Sequence, residues 1–164
     1  MVMNIDSRKR ATSQTRVTTL VADDSPFMLK TLSQILERAG NFDLVGTATD
    51  GCQALRYVAM LSPGLVLIDL HMPHLNGIHA TRYLKERENP PVVIIITSDD
   101  SFASKEMAEE AGADAFVSKA GNLSYELLTV LQNLFGPHGE RREAPGGFSF
   151  ENRPAGCAKQ EQGR

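Results

Sequence analysis

The sequence predicts an α/β fold, a doubly wound parallel sheet of five strands with helices on both faces. Two observations carry this prediction. Short apolar runs alternate five times with segments whose apolar residues recur at helical spacing. Capping or helix-ending residues bound most of the helical segments. Neighbouring parallel strands need right-handed crossover connections, so five strand–helix units in a row favour a parallel sheet.

Five strands are predicted from apolar and β-branched runs. They are RVTTLVA (16–22), FDLVGTA (42–48), LVLID (65–69), PVVIIIT (91–97) and DAFVSK (114–119). The fourth run is the most strongly β-branched, as expected for a central strand that is covered on both faces.

A helix is predicted after each strand. Ser25, Ser101 and Asn122 suit N-caps, and Gly40 and Gly112 suit helix ends. The apolar positions, in chain order, are Met28, Leu32, Ile35, Leu36 and Ala39; Ala54, Leu55, Val58 and Leu61; Ile78 and Leu84; Phe102, Ala103, Met107, Ala108 and Ala111; and Leu127, Leu131, Leu134 and Phe135.

Charge and composition divide the chain into three segments. Residues 1–16 form a basic polar segment of net charge +3, residues 17–135 form an acidic folded domain of net charge −7, and residues 136–164 form a tail rich in Gly and Pro with net charge +1. We expect both ends to be disordered. An acidic domain does not favour direct contact with duplex DNA.

The sequence also indicates the cellular compartment. The longest apolar stretch, 92–96, is far too short to span a bilayer, and no signal peptide is recognisable. Cys52 and Cys157 lie far apart in the sequence and form no CxxC motif, so the sequence suggests neither a cysteine-zinc site nor a disulfide framework. We therefore expect a cytoplasmic protein without membrane contact.

Polar side chains end or directly follow four of the predicted strands. Asp23 and Asp24 come after the first strand, Asp69 ends the third, Thr97 ends the fourth and Lys119 ends the fifth. Each residue alone is more often an ordinary turn or surface residue. Ligands of open α/β sheets bind beyond the carboxyl ends of the strands, so the set together indicates a site.

The chemistry of this set predicts a metal-assisted phosphoryl transfer. Three crowded carboxylates repel one another unless a hard divalent cation such as Mg²⁺ neutralises them. One carboxylate can then attack a phosphoryl group, while Lys119 and the metal neutralise the phosphoryl oxygens and Thr97 donates a hydrogen bond. The product would be an aspartyl phosphate.

The segments LVADDSPFMLKTL, LVLIDLHMPHLNGI, IIITS and AFVSKA resemble, in motif and order, the receiver domain of bacterial two-component response regulators, over roughly residues 17–135. The resemblance implies a flavodoxin-like strand order of 2-1-3-4-5. It also implies that a sensor histidine kinase or phosphotransfer protein phosphorylates the domain in the presence of Mg²⁺.

The resemblance assigns roles residue by residue. Asp69 is similar to the phosphoacceptor and Asp24 to the direct metal ligand. Asp23 resembles the acidic neighbour that acts through water, and His71 the residue whose backbone carbonyl binds the metal. Lys119 resembles the cation of the site.

The remaining correspondences concern the switch pair, the turn after Asp69 and the position after Lys119. Thr97 and Phe116 resemble the switch pair of the family, and Ser98 its small neighbour that leaves room for the phosphoryl group. Pro73 and Gly77 match the MPxxxG turn, in which Gly77 can supply a positive φ. Ala120 departs from the family pattern, because many receivers carry a proline with a cis peptide bond there.

The implied mechanism is a population shift. Phosphorylated Asp69 draws Thr97 inward, Phe116 fills the vacated space, and the surface of residues 101–135 changes. A downstream target protein, or a second copy of the chain bound through 101–135, would read this surface. We expect no enzyme activity beyond phosphorylation and dephosphorylation of Asp69 itself, because no output domain follows residue 135, as in single-domain regulators.

Asp99 and His71 lie where their side chains can control water access to the phosphoryl group. We therefore expect both residues to affect the lifetime of the aspartyl phosphate.

Other interpretations of the same residues stay open. The first is a receiver-like interaction module that does not use phosphate, which Mg²⁺ binding would distinguish. A haloacid-dehalogenase-type phosphohydrolase would need a second Asp where His71 stands. His71, His74 and His79 could form a zinc site, although such spacing more often marks surface histidines. A flavin or nucleotide fold would need a phosphate loop in place of ADDSPF.

Overall fold

The computed structural model describes residues 16–136 and 139–142, and all five predicted strands and all five predicted helices are present. The ends of the five strands lie within one residue of the predicted ones. In chain order the elements are β1 (Val17–Ala22), α1 (Pro26–Ala39), β2 (Phe42–Ala48), α2 (Gly51–Leu61), β3 (Leu65–Asp69), α3 (Gly77–Lys85), β4 (Val92–Thr97), α4 (Phe102–Glu110), β5 (Ala115–Ser118) and α5 (Leu123–Leu134).

Every helix begins at a residue whose side chain accepts a hydrogen bond from a backbone N–H of the first turn. Such a cap satisfies a donor that the helix itself leaves without a partner. The caps are Ser25, Asp50, Asn76, Ser101 and Asn122. The predicted caps Ser25, Ser101 and Asn122 are therefore confirmed.

The five strands form one parallel sheet in the order β2-β1-β3-β4-β5. This order confirms the predicted flavodoxin-like topology. The strand order reverses between β1 and β3, because the chain first adds β2 on one side and then β3, β4 and β5 on the other. The carboxyl ends of β1 and β3 therefore border the crevice where such sheets bind ligands.

Two hydrophobic cores cover the two faces of the sheet. Leu67 and Ile94 belong to the core under α1 and α5, whereas Ile68 and Ile95 belong to the core under α2, α3 and α4. Every residue of β3 and β4 is consequently buried. Burial on both faces explains why these strands are continuous apolar runs without alternation.

Four of the residues at apolar helix positions are exposed, namely Leu61, Phe102, Ala103 and Met107. Leu61 is 42% exposed, Phe102 is 71% exposed and Met107 is 42% exposed. In α4 the helical period turns Ser104 and Ala108 toward the sheet, and these are its only buried residues. Apolar spacing alone therefore does not fix which face of a helix meets the core.

The chain turns back after α5. Phe135 forms an antiparallel bridge with Arg141, and the Arg141 guanidinium lies 3.4 Å from an Asp114 carboxylate oxygen. The predicted domain boundary at residue 135 falls in this turn and stays a prediction. Most of the predicted end segments, 1–15 and 143–164, lies outside the described residues.

The described helices are short. The longest, α1, has 14 residues, whereas a bilayer-spanning helix needs about 20 apolar residues. In the described parts of the chain, no helix is long and apolar enough to cross a membrane.

Candidate functional site

The polar residues that end the central strands lie side by side at one edge of the sheet. Asp69 ends β3 and Thr97 ends β4, while Asp23 directly follows β1 and Lys119 directly follows β5. Adjacent strands are in parallel register, with Ala22 beside Ile68 and Thr97 beside Ser118. Residues separated by almost the whole domain in sequence therefore meet in one crevice.

Lys119 joins two of the carboxylates. Its Nζ lies 2.7 Å from Oδ2 of Asp23 and 2.8 Å from Oδ1 of Asp69. The three side chains are only 14%, 1% and 6% exposed, respectively. Because little water reaches these groups, the attraction between the ammonium and both carboxylates is stronger than at the surface. The structure thus brings together Asp23, Asp69 and Lys119 as predicted.

The environment shifts two pKa values in this group. Burial raises the pKa of Asp69, and the charges of Asp23 and Asp24 act in the same direction, whereas the bond to Lys119 opposes them. Burial alone would lower the pKa of Lys119, but the bonds to Asp23 and Asp69 outweigh it, so that the pKa is raised. Lys119 therefore stays charged at neutral pH.

The donor set of the crevice fits a hard divalent cation. Asp23, Asp24 and Asp69 each offer a carboxylate oxygen, and these three atoms lie within 4.8 Å of one another. Mg²⁺ prefers oxygen ligands of this kind and usually keeps several bound waters. Asp24 is exposed, whereas both oxygens of Asp23 are engaged, one by Lys119 and the other by the backbone N–H of Ser25 at 2.9 Å.

The loop after Asp69 is fixed by a close backbone approach. The N–H of Gly77 donates to the carbonyl of Leu70 at 2.9 Å, and a Cβ on Gly77 would lie 2.1 Å from the carbonyl oxygen of Asp69. The predicted positive φ of Gly77 is wrong, because the residue with positive φ in this loop is His74, at 64°. Glycine is required at position 77 by space rather than by backbone conformation.

Thr97 is fully buried, and its hydroxyl oxygen accepts a hydrogen bond of 3.2 Å from the backbone N–H of Asp99. The Asp99 carboxylate in turn accepts from the Ser104 hydroxyl at 2.5 Å and from the Ser101 N–H at 3.1 Å. The bonds from Ser104 and Ser101 lower the pKa of Asp99 to about 2. Asp99 is therefore a carboxylate at any physiological pH.

The second predicted switch residue, Phe116, lies in β5 beside α4. Its ring is half-buried and packs against the core under α2, α3 and α4. The Lys105 ammonium of α4 lies 5.8 Å from the ring centre, within the range of a cation–π contact. Phe116 therefore connects β5 to α4.

The histidines lie on the surface. His71, His74 and His79 are exposed, and the His71 ring nitrogen Nε2 lies 3.7 Å from the Asp99 carboxylate. In the described ranges, the one group with metal-ligand geometry consists of the three aspartates and contains none of these histidines. The structure gives the zinc interpretation no support.

Ser104 was not predicted as a site residue. The sequence contained a signal for it, because Ser104 has the same helical spacing as Ala108 and Ala111, which places a hydroxyl on the apolar side of α4.

The peptide bond between Lys119 and Ala120 is trans, as is every peptide bond in the described part of the chain.

Sequence comparison identifies related proteins. The family model of the response regulator receiver domain matches residues 19–131. A protein-glutamate methylesterase/protein-glutamine glutaminase of Myxococcus xanthus is 39% identical over 113 residues, covering 68% of this chain and 32% of that protein. A protein of the same name from Halobacterium salinarum is 37% identical over 110 residues, covering 66% of this chain and 31% of that protein. The chain thus matches about a third of the length of these relatives.

Solved structures share the fold. The response regulator domain of Thermotoga maritima CheB superposes with a TM-score of 0.66 and 30% identity, covering 71% of this chain and 95% of that one. The receiver domain of the putative response regulator NarL from Mycobacterium tuberculosis gives a TM-score of 0.65 and 28% identity, covering 70% and 91%. The chain therefore belongs to the response regulator receiver domain family.

Proposed function

We propose that this receiver domain accepts a phosphoryl group on Asp69 from a sensor histidine kinase or phosphotransfer protein. In this proposal the phosphorylated form signals by binding a downstream target protein. The observation that carries the proposal is the Lys119 ammonium between Asp23 and Asp69, at 2.7 and 2.8 Å, beside the exposed Asp24. A buried carboxylate beside a fixed cation and two further acids is an arrangement suited to accepting phosphate.

Asp69 is the nucleophile of the proposal. Lys119 holds its Oδ1 at 2.8 Å, which leaves Oδ2 to form the bond to phosphorus. The bond between phosphorus and the donor histidine breaks, and the imidazole leaves with the electron pair and takes up a proton from water. Lys119 keeps its charge throughout and stabilises the negative charge of the phosphoryl oxygens.

The acidic set would hold Mg²⁺. Asp23, Asp24 and Asp69, together with the backbone carbonyl of His71, are the proposed ligands, and Asp23 would act largely through water. When bound, Mg²⁺ supplies charge neutralisation for the transferred phosphoryl group.

Thr97 and Phe116 are the proposed switch. The Thr97 hydroxyl is buried at the end of β4, next to β3, and can turn to donate to a phosphoryl oxygen on Asp69. Its movement would leave space that the half-buried ring of Phe116 can enter. Because this ring contacts α4 through Lys105, the change would reach the surface of residues 101–135.

The partners are proposed only by class. The relatives named methylesterase and glutaminase are about three times longer than the matched region, and we assign neither activity to residues 17–135. The target would be another protein, or a second copy of this chain bound through 101–135. A cytoplasmic location is part of the same proposal.

Intact-protein mass spectrometry after incubation with acetyl phosphate tests the proposal. We expect one added phosphoryl group with Mg²⁺, none without it, and none on Asp69→Asn. Asp43→Asn is a matched control, because Asp43 is an exposed carboxylate on the edge strand β2 and should leave labelling unchanged.

Two outcomes would contradict the proposal. Labelling of Asp69→Asn at the rate of the unchanged protein would exclude Asp69 as the acceptor. Absence of both labelling and Mg²⁺ binding would instead favour a receiver-like interaction module that does not use phosphate. A cognate kinase, once identified, should phosphorylate the same residue.

A further inference from the structure

Ser104 is a polar side chain on the buried side of α4. It is 2% exposed, and α4 buries only Ala108 besides it. A buried hydroxyl is costly unless it is hydrogen-bonded. Ser104 meets this requirement by donating to Oδ2 of Asp99 at 2.5 Å and accepting from the Ser101 hydroxyl at 3.1 Å.

Asp99 links this hydroxyl to Thr97. Its second carboxylate oxygen, Oδ1, accepts from the Ser101 N–H at 3.1 Å, so that both oxygens are engaged by the start of α4. Its own backbone N–H donates to the Thr97 hydroxyl oxygen at 3.2 Å. Bonds to an ionised carboxylate are stronger than bonds between neutral groups. The carboxylate therefore fixes the loop that presents this N–H to Thr97.

The same bonds oppose the movement that phosphorylation requires. If the Thr97 hydroxyl rotates from its present position toward Asp69, the bond that it accepts from the Asp99 N–H is lost. A movement of α4 relative to the loop at Asp99 breaks the bond from the Ser104 hydroxyl to the Asp99 carboxylate. Since α4 buries only one serine and one alanine, apolar packing adds little to these bonds.

We propose that Asp99 and Ser104 form a latch, defined by the bonds Thr97–Asp99–Ser104, which holds Thr97 and the first turn of α4 in the unphosphorylated arrangement. Ser104 is thus a positioning residue that acts on Thr97 through Asp99. This inference rests on the proposed function, because it assumes that Asp69 receives the phosphoryl group. The latch has two arrangements, closed and open, and its opening couples the site to α4.

The strength of the latch can be measured through the affinity of the protein for beryllofluoride, a stable mimic of the phosphoryl group. Isothermal titration calorimetry at a fixed, saturating Mg²⁺ concentration gives the dissociation constant of beryllofluoride. Ser104→Ala removes the bond that opposes the switched state, so we expect binding to become about five-fold tighter, the effect of one hydrogen bond. A purely structural role would predict weaker or unchanged binding together with lower stability.

Two further variants make the test specific. Asp99→Ala should tighten binding as much as Ser104→Ala, and the double variant should add nothing, because both changes open the same latch. Ser33→Ala is the matched control: Ser33 is a half-buried helical serine whose hydroxyl donates to the Leu29 carbonyl within α1. It should leave the dissociation constant unchanged.

The outcomes separate the two proposals. If the unchanged protein does not bind beryllofluoride, the proposed function fails and the latch fails with it. If the unchanged protein binds but Ser104→Ala binds equally or more weakly, the latch alone is overturned. Asp99→Asn keeps one acceptor oxygen and should tighten binding less than Asp99→Ala, so the test stands even if Ser104→Ala does not fold.

Discussion

Two helices of nine residues each flank the site, and they are held in place very differently. α3 follows the strand that carries Asp69 and buries Gly77, Ile78, Ala80, Thr81 and Leu84. α4 follows the strand that carries Thr97 and buries only Ser104 and Ala108. Packing therefore fixes α3, whereas hydrogen bonds to Asp99 hold the start of α4.

The difference fits the two tasks proposed for the domain. Phosphoryl transfer needs Asp69 in one position relative to Lys119, and α3 secures this because Gly77 packs directly against the Asp69 carbonyl. A signal needs an element with two arrangements of similar free energy, which a small buried surface and a few polar bonds allow. Changes in the two helices should consequently have different effects.

The largest expected effect is on stability. Leu84 is fully buried in α3, and we expect Leu84→Ala to lower the free energy of unfolding by about 3 kcal/mol. Met107 of α4 is 42% exposed, and Met107→Ala should cost less than about 1 kcal/mol. Urea denaturation measures both values. Equal losses would show that α4 is as firmly packed as α3.

A smaller effect is expected where α3 meets the phosphoacceptor. Gly77→Ala would place a Cβ 2.1 Å from the Asp69 carbonyl oxygen, so the backbone has to shift. We expect a loss of about 2 kcal/mol and at least a ten-fold slower labelling of Asp69 by acetyl phosphate.

Gly64→Ala is the matched control for this change. Its nearest new contact would be an ordinary 3.4 Å to a Val17 methyl group, so stability and labelling should change little. Labelling of Gly77→Ala at the normal rate would disprove the role of this close approach.

The smallest effect concerns pH. Because burial raises the pKa of Asp69 above 3.8, the folded protein binds more protons than the unfolded chain between that value and the raised pKa. The contribution of Asp69 to stability therefore falls as pH rises through this window, and its penalty is complete above it. Without Mg²⁺, Asp69→Asn should be more stable than the unchanged protein at neutral pH but not at pH values below the window.

Thermal denaturation over a pH series measures this difference. Asp43→Asn should show no such pH-dependent gain, since Asp43 is exposed on the edge strand. A lower melting temperature of Asp69→Asn at neutral pH would show that the bond to Lys119 outweighs burial at Asp69.

The comparison also shows what the sequence can and cannot predict. The two central strands were predictable because β3 and β4 are buried on both faces and must be continuously apolar. Asp23, Asp69, Thr97 and Lys119 were predictable as neighbours, because each follows or ends a strand of one parallel sheet. The local sequence carries this information directly.

Other features depend on contacts that no local pattern encodes. The role of Gly77 follows from the distance to the Asp69 carbonyl across a turn. The bond between Ser104 and Asp99 depends on how the loop at Asp99 folds back onto α4, which no local pattern predicts. The exposure of Phe102 depends on which face of the weakly packed helix α4 meets the sheet, which helical spacing does not reveal.

Hydrogen–deuterium exchange with and without beryllofluoride and Mg²⁺ tests the central claim most directly, namely that phosphorylation at Asp69 rearranges α4 while α3 stays fixed. We predict a change in exchange across residues 102–110 and little change in 80–85, with neither change in Asp69→Asn. Equal changes in both helices, or a change in α3 alone, would contradict the account.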